Sequence, residues 1–200
     1  LTIHYLQIDN LKDQLPIELE VYMFKKILVA LDRSEVGQKV FDQALGLANL
    51  TQASLMLLHV LSPEEDGSPY VPMVSNFDYY PGLNSQSFEL YQKQWESFKN
   101  KGIHMLQSFS AQANAVSIST GFTQNLGNPG RIICDLARSY GADLIVMGRR
   151  GRFGLTELFL GSVSNYVLHH APCSVHVVHL SVTTKKDELV KENTSASSIN

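Results

Sequence analysis

The sequence predicts an α/β fold: a single doubly wound, open parallel sheet of five strands with helices on both faces. Short, nearly unbroken apolar runs of strand length recur along the chain, as expected of strands covered by helices on both sides. Segments with apolar residues at helical spacing separate them, and such alternation implies right-handed crossovers into a parallel sheet. The 200 residues, 44% of them apolar, suffice for one domain with a substantial core.

Residues 1–22 show no clean helical or strand period and read as an appendage: an upstream translated stretch, an alternative start or an expression remnant. The domain is expected over residues 23–180. Residues 26–31, Lys26-Ile27-Leu28-Val29-Ala30-Leu31, form the first strand-like run, which Asp32-Arg33-Ser34 breaks. From Ser34 and Glu35 onward a helix follows, with Val36, Val40, Phe41, Ala44, Leu45, Leu47 and Ala48 on its apolar face. A second strand is expected over residues 54–60.

Residues 62–85 carry prolines, glycines, Asp, Asn and Ser, with Tyr70, Phe77, Tyr79 and Tyr80 interspersed. So long a connection without period is a mobile tether or, given aromatics that plain linkers lack, a lid. A long helix comes next, with Phe88, Tyr91, Trp95, Phe98, Gly102, Met105 and Phe109 stepping by threes and fours as a core-packing stripe. The third strand is expected over residues 116–123. Asn128 then stands as N-cap before Pro129 at the first helical position, and Ile132, Ile133, Leu136 and Ala137 supply that helix's buried stripe. Residues 144–147 read as the fourth strand, 162–170 as the last helix and 174–179 as the fifth strand. Residues 181–200, rich in Lys, Glu, Ser and Thr, are expected to be a disordered tail.

The formal net charge is −3, and basic residues are thinly spread apart from Arg149, Arg150 and Arg152. Nothing supports a broad nucleic-acid-binding face. No apolar run reaches membrane-spanning length and no secretory leader opens the chain, so no membrane partner is expected and the default location is cytoplasmic. The two cysteines, Cys134 and Cys173, are too few and too far apart for a disulfide scaffold or a zinc site, and read as free thiols.

Chemistry concentrates in Met147-Gly148-Arg149-Arg150-Gly151-Arg152-Phe153-Gly154 and, just beyond, Leu160-Gly161-Ser162-Val163-Ser164. Glycine corners bracket a loop that leads from a strand into a helix start. Unpaired N–H groups and the helix dipole there suit an anion, and phosphate is the obvious guest. Ser162 can cap the helix or donate to a phosphate oxygen. The plain alternative is an ordinary strand-to-helix connection.

The spacing Gly148, Gly151, Gly161-Ser162 resembles the nucleotide-binding pattern of the universal stress protein family. Ile27-Leu28-Val29-Ala30-Leu31-Asp32, Ala142-Asp143-Leu144-Ile145-Val146-Met147-Gly148 and Ala171-Pro172-Cys173 agree with it. The resemblance, to the ATP-binding subgroup of that family, runs from Met23 to His179. It implies an adenine nucleotide alpha hydrolase-like sheet in the order 3-2-1-4-5. By resemblance, Ala30 and Asp32 contact the nucleoside, Val60 reads the adenine edge through its backbone, and Met147, Gly148, Gly151, Gly161, Ser162 and Val163 meet ribose and phosphates. Ser164 is a weaker candidate, because its hydroxyl can bond its own helix backbone. Asp32 is open to three roles: ribose acceptor, partner of a metal-bound water, or helix cap. Arg33 and Arg149 replace residues usual in the family, and Ser174 replaces a proline.

The implied ligand is ATP or AMP with Mg2+, in a stress-response or signalling protein that acts through nucleotide occupancy. Homodimerisation through residues 174–179, from Ser174 to His179, and an unidentified protein partner are also expected. A slow ATPase or phosphotransfer enzyme on the same site is the alternative. Against it, the sequence shows no Walker-type phosphate loop, no nucleophile elbow and no zinc-protease motif. His169 and His170 read as dipole partners at a helix end, and His59 as a strand residue facing a helix.

Overall fold

The structure, a computed structural model, describes residues 24–69, 81–149 and 161–179, except for the side chains of residues 81–87. Gly151, Arg150, Arg152, the aromatics Tyr70, Phe77, Tyr79 and Tyr80, and the two terminal stretches lie outside the described residues.

The elements alternate as β1 (Lys26–Leu31), α1 (Glu35–Thr51), β2 (Ser54–Leu61), α2 (Pro81–Ala115), β3 (Thr120–Leu126), α3 (Pro129–Tyr140), β4 (Leu144–Gly148), α4 (Ser162–His170) and β5 (Ser174–Val178). The strands form a five-stranded sheet in the order β3-β2-β1-β4-β5. All its pairings are parallel, with Ile27 opposite both Leu55 and Leu144. This is the doubly wound sheet and strand order that the resemblance implied.

Alternation along β1 divides the core in two. Ile27, Val29 and Leu31 face one layer, where they pack with Phe41 of α1 and Phe109 of α2, whose rings stack at 4.3 Å. Leu28 turns to the other layer, with Ile133 and Ala137 of α3 and Val167 of α4. Each face of the sheet is therefore sealed by its own pair of helices, as apolar strand runs require.

α1, α2 and α3 share one ending. α1 closes with Gln52 at φ 56°, α2 with Ser117 at φ 63° and α3 with Gly141 at φ 68°. In each, the residue after the left-handed position donates back to a carbonyl of the last turn: Ala53 to Ala48, Ile118 to Ala113 and Ala142 to Ala137. This arrangement satisfies carbonyls the helix leaves orphaned and sets a buried residue against the core.

Two expectations are corrected. α2 begins at Pro81, inside the segment read as loop, because proline's fixed φ suits a helix's first turn. β3 runs from Thr120 to Leu126 rather than over residues 116–123. Val116 and Ile118 look strand-like, yet they belong to the closing turn of α2, and Ile118 is buried as its anchor. Asn128 does cap α3, its Oδ1 accepting from the Arg131 N–H at 3.1 Å.

Candidate functional site

β1 lies between β2 and β4, and the connections from β1 and β4 leave on opposite sides of the sheet. At such a switch point a crevice opens beyond the carboxyl ends of the strands. A cavity of about 490 Å³ lies there. Its walls come from the ends of β1 (Ala30, Leu31, Asp32), β2 (Leu58, Val60) and β4 (Met147, Gly148). The first turns of α1, α3 and α4 add Val36, Gly37, Pro129, Gly161, Ser162, Val163 and Ser164. Every site residue named from the sequence that lies among the described residues lines this one cavity. Gly151 lies outside them.

The close approach of α1 to the strand ends depends on two glycines. A Cβ on Gly37 would overlap the carbonyl oxygen of Asp32, and one on Gly148 would stand 2.7 Å from Val36 Cγ1. Asp32 sits in the turn so formed. Its Oδ1 accepts from the Ser34 N–H at 3.1 Å and from the Ser34 hydroxyl, so it shapes the start of α1 while remaining on the cavity wall.

α4 starts at Gly161 with no side-chain cap. Its first N–H groups thus lack a side-chain partner at a helix start that lines the cavity, an arrangement suited to an anion. The buried Ser164 hydroxyl donates to the Gly161 carbonyl at 3.0 Å, the local bond that made it the weaker candidate.

Sequence reasoning took the segment after β2 as a tether or lid and passed over its carboxylates. Ser62, Glu64 and Glu65 also line the cavity, and Glu65 is only 8% exposed. Its Oε1 lies 2.9 Å from His59 Nε2 and 3.5 Å from Arg33 Nε, whose guanidinium covers the Phe98 ring at 4.5 Å. Arg33 also donates to the Asp66 carbonyl at 3.1 Å, pinning the segment down. The adjacent pair Glu64-Glu65 shortly after β2 is visible in the sequence, but its place on the cavity wall is not.

His59 is fully buried against α2, where Gly102 leaves room for its ring. His170 Nδ1 lies 2.8 Å from the Tyr166 carbonyl, and its ring stacks on Tyr166 at 4.0 Å. Neither histidine lines the cavity. Burial pushes the thiols of Cys134 and Cys173 above the ordinary thiol range, which keeps them protonated and poorly nucleophilic. Among the described residues no group of three or more His, Cys, Asp or Glu could hold a metal ion, and no helix is long and apolar enough to cross a membrane.

The sequence model of the universal stress protein family matches residues 23–179. Universal stress protein Sll1388 of Synechocystis sp. is 36% identical over 155 residues, which cover 78% of this chain and 97% of that protein. Among solved structures, universal stress protein UspA from Lactobacillus plantarum has a TM-score of 0.53 at 28% identity, covering 78% of this chain and 97% of the other. A universal stress protein family protein from Arabidopsis thaliana, solved with AMP bound, has a TM-score of 0.50 at 20% identity, covering 80% and 95%; that likeness is one of fold.

Proposed function

The chain belongs to the universal stress protein family, and from that premise we propose that it binds an adenine nucleotide, ATP or AMP, in the switch-point cavity. One observation carries the reading: residues that the resemblance assigns to nucleoside and phosphates, drawn from three strand ends and a helix start, line a single cavity of about 490 Å³. That volume lies within the range of cofactor pockets. The Arabidopsis relative with AMP bound supports the choice of ligand.

The parts fit such a guest. Backbone N–H groups of Ser162 and Val163 at the uncapped start of α4 suit the phosphates, and Ala30 and Asp32 suit the ribose. Apolar Val60 and Ile133 offer the base a dry wall. Mg2+, which keeps much of its water and binds substrate phosphates, needs only an acceptor such as Asp32 nearby. Occupancy would then be signalled in the cytoplasm by a dimer paired through β5 or by a protein partner.

Calorimetric titration with ATP and AMP tests this. A Gly151→Val variant, which adds a branched side chain at a glycine that the resemblance assigns to the phosphates, should bind at least tenfold more weakly with its thermal unfolding unchanged. Equal affinity before and after the change would refute the phosphate site.

A further inference from the structure

The segment between β2 and α2 holds a polar group that the family pattern leaves without a role. Glu65 is nine-tenths buried, and its two carboxylate oxygens are treated unequally. Gln124 Nε2 donates to the Lys99 carbonyl at 3.1 Å and stands 2.9 Å from His59 Nδ1, which must therefore accept. The His59 proton then sits on Nε2 and is donated to Glu65 Oε1, which Arg33 Nε also approaches. Oε1 is thus fully engaged. Oε2 is buried, and no donor among the described residues reaches it.

A buried acceptor left unpaired is rare and costly. This one belongs to a residue on the wall of the nucleotide cavity. We propose that Glu65 is a further ligand-contacting residue, whose Oε2 accepts an N–H or O–H donor of the bound nucleoside. The base amine and the ribose hydroxyls share that chemistry. The terminal torsion of a glutamate is broad, so a small adjustment that keeps Oε1 within reach of His59 can aim Oε2 at a donor in the cavity without a backbone change. Because Oε1 stays on His59, a single oxygen is offered, which suits one donor rather than a two-donor edge such as that of guanine.

The assignment rests on the nucleotide reading above and is tested separately from it. Unaltered protein and Glu65→Gln are titrated calorimetrically with AMP, with IMP, which lacks the base amine, and with 2′-deoxy-AMP and 3′-deoxy-AMP. Glu65→Gln is expected to bind AMP about tenfold more weakly, while the analogue that lacks the contacted donor binds both proteins alike; that analogue identifies the donor. Equal weakening of all four ligands, the mark of structural support alone, would overturn the assignment, as would no weakening. If Glu65→Gln loses its circular dichroism spectrum, Glu65→Asp, which keeps the charge and withdraws Oε2, is read by the same criteria. Absence of AMP binding by the unaltered protein would instead remove the nucleotide reading itself, and this contact with it.

Discussion

Gly37 shows how a residue far from any catalytic role can decide the shape of the site. It is the position where α1 passes over the Asp32 carbonyl, and no side-chain adjustment relieves a clash with backbone. Gly37→Ala is expected to lower stability by about 1–3 kcal/mol, the usual range for overpacking, and to displace Asp32 from the cavity wall. Denaturant unfolding measures the first effect and nucleotide titration the second; a variant of unchanged stability would show that the contact is relaxed at little cost. The spacing of Gly148 and Gly161-Ser162 made this part of the cavity wall legible in the sequence. Glu65 was not legible, because its burial depends on His59 and Arg33, partners brought to it only by the fold.

Elements were legible where apolar runs are continuous, as in Ile27-Leu28-Val29 and Leu144-Ile145-Val146, which are buried on both faces. β3 was misplaced because Thr120–Leu126 is an edge strand with no fully buried residue, so no apolar run marks it. At the opposite edge lies β5. Its strand partner is β4, and Val175 and Val177 are only partly covered. An edge free of Lys and Pro offers a backbone ladder to a twofold-related copy. Sedimentation of the unaltered protein at tens of micromolar should give a dimer. Val177→Pro, which removes a donor and distorts the strand, should give a folded monomer. A monomeric unaltered protein, or a folded variant that remains dimeric, would reject this interface.

At the scale of the whole molecule, occupancy of the cavity and folding are linked, because the cavity exists only when β1, β2, β4 and three helix starts are assembled. A ligand at 100 times its dissociation constant stabilises the native state by about 2.7 kcal/mol, which for a domain of this size raises the melting temperature by about 5–10 °C. Scanning calorimetry with and without ATP should show that shift; an unchanged melting temperature at saturating ATP would count against the site. α2, at 35 residues about 52 Å long, carries Tyr91, Trp95 and Phe98 in a stacked row, with Trp95 and Phe98 centred 5.6 Å apart. Phe98 supports Arg33, and Arg33 reaches Glu65 on the cavity wall. Trp95 is the chain's single tryptophan. The molecule thus carries one indole fluorophore, coupled through two ring contacts and a guanidinium to the wall of its own cavity, and its emission, excited apart from the tyrosines, can report the state of that wall without a dye or a label.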